Sequence, residues 1–368
     1  MSRITQLPGL VAALPPVARE RAARLYQVEV VTGRTDPPPE LHAWLEHQFG
    51  SVEAVRDQQV TRVVNRWTQD GALFSPLRAR RPQEGGSNGQ AEDAYRDGEG
   101  SDPFCHPETG TPADTFGRIE SAHAVTGANA AKYDGQHGII VFRRHHPLAF
   151  DEETVVDLLD IGRRWADAAR RADPRAVAYL LIWNAGPRAG GSIIHGHAQV
   201  MLGRPPHYPQ VERLRRDAHR YRAETGANYL QDLVAVHRDL GLLIAEAGGV
   251  ATIASLTPVK ERELLIIGPA GMDERHPAFA GAVARTVVAY RDVLGVRAFN
   301  LALHRPPLTH GRPTTPPGWE NIGPVVHLVD RGDPRSPSSD IGAMELYAAS
   351  VVGGDPFELA ARLRSALA

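Results

Sequence analysis

Cysteine is almost absent from the chain: Cys105 is the single one in 368 residues. An intramolecular disulfide is therefore excluded, and a reducing compartment, the cytoplasm, is the expected setting. Lysine is nearly as scarce. Of 41 basic residues only Lys132 and Lys260 are lysines, and against 43 acidic residues the formal net charge is −2. Such a balance offers no polybasic field for nucleic acid or an anionic membrane. The sequence also lacks any run of ~18 apolar residues that would span a bilayer. Its N-terminus has no apolar segment behind a basic start, so no signal peptide is expected. The composition that remains, 42% hydrophobic and 23% charged, is that of a globular chain long enough for one large core or two ordinary domains.

The most informative stretch runs from Trp183 to Leu202. It reads as an apolar strand (Ala178 to Trp183), a turn holding Gly186, Gly190, Gly191 and Ser192, and a second strand ending in Val200-Met201-Leu202. Strand side chains alternate with a period of two, so His195, His197 and Gln199 project to one side. Glycines in the turn let backbone N–H groups approach an anionic ligand closely. Two imidazoles and an amide beside such a cradle point to chemistry on phosphorus. A neutral imidazole can attack there if its other ring nitrogen donates to a carbonyl. On its own, His-x-His is equally a metal pair.

The longer spacing of Asn184, Gly190, Ser192, His195, His197 and Gln199 resembles the galactose-1-phosphate uridylyltransferase branch of the histidine-triad superfamily. Members carry Asn, Gly, Ser, His-Pro-His and Gln at these intervals; Gly196 replaces the usual proline here. The resemblance implies that His197 becomes covalently nucleotidylated, with Gln199 and Ser192 assisting. It implies that Asn184 and Gly190 contact substrate and that His195 ligates a structural metal. Ser75 to Pro82 is similar to the family's Ser-Pro-x-Arg-Ala-x-Arg-Pro element, which would bring Arg78 and Arg81 to the substrate phosphates. Asn129 occupies the place of a residue beside the nucleobase. Near the end, Glu345 matches a hexose contact, while Met344 and Val351 stand where tyrosine and glutamine are usual. Family members often have Cys-x-x-Cys where this chain has Asp102-Pro103-Phe104-Cys105. Zinc accepts carboxylate as well as thiolate, so the implied zinc ligands are Asp102, Cys105, His146 and His195, with His106 in reserve.

The remaining pattern gives an α+β chain of tandem histidine-triad-like halves, antiparallel sheets with helices packed on them. Residues 1–60 show helical spacing (Ala18, Ala22, Leu25; Leu41, Trp44, Leu45) and read as a helical extension. Residues 61–206 form the catalytic half. It opens with a hairpin turning at Asp70-Gly71 and contains a polar loop at 83–101, low enough in apolar content to be mobile. An amphipathic helix covers Asp151 to Arg171. Residues 207–368 repeat the order in degenerate form, with helices at 211–224 and 230–247, strands at 250–254 and 263–267, a helix at 278–294 and strands at 299–304 and 324–328. His327 stands alone where the first half has His-x-His-x-Gln, so this half is expected to be silent. Two histidines there, His304 and His327, with Glu212 as the one carboxylate in view, make too few ligands for a second metal.

The expected activity is nucleotidyl transfer through a nucleotidyl-histidine, from a nucleoside diphosphate sugar to a sugar phosphate. A dinucleoside polyphosphate phosphorylase or hydrolase, or a non-catalytic nucleotide-binding protein, are the alternatives. The expected partners are a nucleotide or nucleotide sugar and a phosphorylated acceptor, with a homodimer as the candidate assembly and neither nucleic acid nor membrane.

Overall fold

The structure, a computed structural model, describes residues 3–80, 95, 98–308, 317–336 and 339–367. Arg81 and most of the polar 83–101 loop lie outside the described residues. The strands are β1 (Tyr26–Arg34), β2 (Asp57–Asn65), β3 (Gly71–Phe74), β4 (Ala124–Ala128), β5 (Gln136–Phe142), β6 (Ala178–Ala185), β7 (His197–Gly203), β8 (Leu243–Ala247), β9 (Val250–Ala254), β10 (Leu264–Ile267), β11 (Phe299–His304), β12 (Val325–Asp330) and β13 (Ser350–Val352). They form a 4-stranded sheet, β1-β2-β3-β13, and a 9-stranded sheet, β4-β5-β7-β6-β11-β12-β10-β9-β8.

The larger sheet contains the repeat. In the first half the chain makes β4 and β5, crosses by the helix Glu152–Ala172, then adds β6 and β7, giving the spatial order β4-β5-β7-β6. In the second half β9, β10, the helix Pro277–Asp292, β11 and β12 give β9-β10-β12-β11, the same order. The two arrays meet edge to edge where β6 pairs antiparallel with β11. A single sheet therefore crosses the boundary near residue 206.

Both long helices lie on one face. Asp151 caps the first, accepting from the Thr154 amide at 2.9 Å, and its Trp165 is fully buried. Gly138 is required beneath it: a Cβ there would lie 2.5 Å from the indole nitrogen of Trp165. Ala198, Val200 and Leu202 are buried in this core, which turns His197, Gln199 and Met201 to the opposite face by strand alternation. A buried ion-pair network also ties the halves, with Arg163 on the first helix 2.7 Å from Asp273 and Arg305 bonded to the fully buried Glu274.

Three expectations are corrected. Residues 1–60 are not all helical, because Tyr26–Arg34 pairs along its whole length with β2. Its inward residues Tyr26, Val28 and Val30 alternate, a period that the helical segments around it obscure. The helix read over 230–247 ends at Asp239; Gly241 adopts φ +80° and the chain leaves as β8. The hairpin of β2 and β3 belongs to the smaller sheet rather than to the sheet of β4 to β7.

Candidate active site

Register places the polar residues of both halves on one surface. Ile139, Gln199, Ile182, Ala302, His327 and Leu265 stand side by side across β5, β7, β6, β11, β12 and β10. His197 opens β7 and is 6% exposed. Its Nδ1 lies 2.8 Å from the carbonyl oxygen of His195. A carbonyl only accepts, so Nδ1 carries the proton and Nε2 holds the lone pair. Nε2 makes no hydrogen bond among the described residues and is not sealed from solvent. Burial holds this imidazole below its usual pKa, outweighing the opposite pull of the His195 carbonyl. The Phe104 ring meets it edge-on at 5.0 Å between centroids, and Phe104, Val125, Ile139 and Val141 form a small apolar cluster beside it.

Gln199 is 9% exposed and its Oε1 lies 3.0 Å from Nε2 of His137, a fully buried residue of β5. Asn129 reaches the same group, with Nδ2 3.3 Å from His137 Nε2. Asn184 accepts at 2.7 Å from Asn300, which also donates to the Ala189 carbonyl at 2.8 Å. This pair fastens the glycine turn to the second half. Within that turn Gly190 has φ +93°, a conformation that favours glycine. The amides of Gly190 and Gly191 are already engaged, by Pro187 at 2.9 Å and Gly186 at 3.2 Å. Those of Ser192, Ile193 and Ile194 make no hydrogen bond among the described residues, so the free donors lie one step further along the chain than the glycines. The Ser192 hydroxyl likewise has no partner among them.

Just before β7 a second group assembles. Asp102, Cys105, His145 and His195 each present one ligand atom, all within 4.8 Å of one another. His145 Nδ1 is 2.9 Å from Asp102 Oδ2, and Cys105 Sγ is 3.1 Å from Asp102, 3.4 Å from His145 and 3.6 Å from His195. Tetrahedral zinc with bonds of ~2.0–2.3 Å has ligand–ligand edges of roughly 3.4 Å, so the donor set and its spacing fit that ion. His195 Nε2 donates to the Phe142 carbonyl at 2.7 Å, which leaves Nδ1 as the ligand atom. Burial and the Asp102 carboxylate push the Cys105 thiol up, the state from which a cation would draw the proton.

His146, the ligand named from the sequence, is not in this group. Its Nδ1 accepts from the Leu148 amide at 3.1 Å and its ring packs on Tyr95. The chain bends here, so of two adjacent histidines the buried His145 faces Asp102. Arg78 and Glu345 are brought to each other, 3.9 Å apart, and neither bonds to His195, His197 or Gln199. Glu345 also accepts from the Gly342 amide at 2.9 Å. It borders a cavity of about 700 Å³ over the second half, floored by Asn300, His304 and His327. There His327 pairs with Glu263 at 3.1 Å, a carboxylate the sequence reading passed over, while Glu212 is taken by Arg215. Among the described residues the Asp102 group is the single cluster of three or more metal-ligand side chains. None of the described helices is long and apolar enough to cross a membrane.

Two fused antiparallel α+β halves, with His197 and Gln199 on β7 of the first, are an arrangement that recurs in solved structures. An ADP-glucose phosphorylase from Arabidopsis thaliana with bound ADP-glucose aligns with a TM-score of 0.61 at 17% identity, over 82% of this chain and 97% of that one. A GalT-like protein from Arabidopsis thaliana aligns at 0.57 and 18%, over 71% and 91%. A uridylyltransferase aligns at 0.55 and 19%, over 84% and 98%. No family profile matches the sequence, and no curated protein matches it. The likeness is one of fold, and it extends over nearly the whole of each neighbour.

Proposed function

We propose that the protein is a nucleotidyltransferase that works through a covalent nucleotidyl-His197. The observation that carries this reading is the 2.8 Å contact of His197 Nδ1 with the His195 carbonyl, which leaves Nε2 unprotonated and open beside Gln199. In the first step Nε2 attacks the α-phosphorus of a nucleoside diphosphate sugar. A P–N bond forms, the P–O bond of the diphosphate bridge breaks, and the sugar phosphate leaves. The proton stays on Nδ1, where the His195 carbonyl stabilises the positive charge the ring acquires. In the second step an oxygen of a phosphorylated acceptor attacks the same phosphorus and the P–N bond breaks.

The unbonded amides of Ser192 to Ile194 and the side-chain amide of Gln199 would be the donors to the phosphoryl oxygens. The apolar wall of Phe104, Val125 and Ile139 suits a nucleobase. Zinc held by Asp102, Cys105, His145 and His195 would supply rigidity; the chain's own part is to hold His195, whose carbonyl orients His197. Arg78, paired with Glu345, is assigned no role at the reacting phosphorus.

The likeness to structures of a uridylyltransferase and of an ADP-glucose phosphorylase supports a nucleoside diphosphate sugar as donor. A second reading has inorganic phosphate as acceptor. Met344, 44% exposed, and Val351 favour it, because apolar side chains cannot hydrogen-bond a sugar hydroxyl. Incubation with nucleotide sugars labelled at the α-phosphorus tests both. Acid-labile, base-stable label on the protein is expected, discharged by a sugar phosphate under the first reading and by inorganic phosphate under the second. Failure of any nucleotide sugar or dinucleotide to label the protein would overturn the covalent mechanism.

A further inference from the structure

We infer that His137 is a positioning residue that sets which end of the Gln199 amide faces the reacting phosphate. The inference rests on the nucleotidyl-transfer reading for its consequence but not for its geometry. His137 is fully buried in β5, next to the strand that carries Gln199. The Tyr133 amide lies 3.0 Å from its Nδ1. A backbone N–H only donates, so Nδ1 is the acceptor and the ring proton sits on Nε2. Nε2 then donates to Gln199 Oε1 at 3.0 Å. The nearby Asn129 does not compete. Its Oδ1 is held by the Ala131 amide at 3.0 Å, so its Nδ2 meets Nε2–H at 3.3 Å as donor against donor, which is not a hydrogen bond.

With Oε1 fixed on His137, the two N–H bonds of Gln199 are turned the other way. That side-chain nitrogen makes no hydrogen bond among the described residues and is not enclosed. The two ends of a carboxamide have nearly the same shape, so packing alone does not choose between them. Reversed, the group would point a carbonyl oxygen at an anionic phosphoryl oxygen. Protonating His137 would oppose its Nδ1–H to the Tyr133 amide, and burial holds this imidazole below its usual pKa, outweighing the pull of Gln199. The Tyr133 amide, His137 and Gln199 thus form a chain that converts one backbone N–H into a directed donor at the site.

Two measurements test this. The imidazole ¹⁵N shifts of histidine-labelled protein report the tautomer of His137 whether or not the protein turns over. The Nε2–H form is expected, and an Nδ1–H or charged ring at neutral pH overturns the inference even if nucleotidyl-His197 forms. Kinetics supply the consequence. His137→Leu should lower kcat by on the order of 10–100-fold, less than the ~10²–10³-fold loss of the donor itself, with KM little changed. His137→Gln, whose amide can donate from the place of Nε2, should recover most of it. In the Gln199→Ala background His137→Leu should cost nothing more; multiplying losses would make His137 a fold residue and overturn the inference. Absence of any nucleotidylated protein would instead strike the proposed function and leave the tautomer to decide this one.

Discussion

His145 and Asp102 face each other at 2.9 Å, Nδ1 to Oδ2, while the adjacent His146 turns its ring to Tyr95. The pair predicts how metal content responds to substitution. Protein purified without chelator should hold about one zinc per chain. Cys105→Ser or His145→Ala should lower that occupancy strongly, and His146→Ala should leave it intact. Elemental analysis of the three variants decides the matter; loss of zinc with His146→Ala and not with His145→Ala would move the ligand back to the residue read from sequence.

That example shows where legibility ended. The family resemblance placed Asp102, Cys105 and His195 in one group, because Asp102-Pro103-Phe104-Cys105 and His195 stand where the family's ligands do. It could not separate two consecutive histidines, since their facing depends on a bend. The strands at 250–254 and 299–304 were plain, being apolar runs bounded by turn residues. The edge strand β8 was not, because its apolar positions continue those of the preceding helix past Gly241. His137 gave no signal at all. A lone histidine in an apolar strand reads as core, and its role appears only when the pairing of β5 with β7 sets it beside Gln199.

Gln199→Ala is expected to reduce turnover by on the order of 10²–10³-fold, the usual effect of losing one donor to developing charge. Substrate affinity should change little, because the interaction strengthens mainly in the transition state. Single-turnover kinetics separates the two. An unchanged rate with weakened binding would show that Gln199 only holds the ground state.

Buried histidines give the fold an acid limit. Burial lowers the pKa of His237 to about 4, against the pull of the Leu233 carbonyl, and burial likewise takes His207 to about 4. Unfolded, both titrate near ~6.5. Between these values the unfolded chain binds more protons than the native one, so stability rises with pH there. Their contribution is complete above about 6.5 and is lost as pH falls toward 4, by about 3 kcal/mol each over the whole window. Melting temperature should therefore drop across that window, and His237→Leu should make the drop shallower. An unaltered slope would contradict the assignment to His237.

The ion-pair network between the halves makes a stability prediction. Glu274 is fully buried and faces both Arg305 and Arg163. Glu274→Ala strands the Arg305 guanidinium in a closed interface, while Arg163 keeps Asp273 and Asp167, and should cost about 3–5 kcal/mol. Urea titration measures it; a loss below about 1 kcal/mol, the range of exposed pairs, would mean that water reaches the network.

The most direct test of the central claim is the site of covalent label. After incubation with α-phosphorus-labelled nucleotide sugars and proteolysis, mass spectrometry of the peptide spanning residues 189–204 should place a nucleoside monophosphate on His197. His197→Gly should abolish the adduct while keeping a single cooperative melting transition, lowered by the loss of a buried ring and its bond to the His195 carbonyl. Unchanged turnover in His197→Gly, or an adduct on a different residue, would contradict the account.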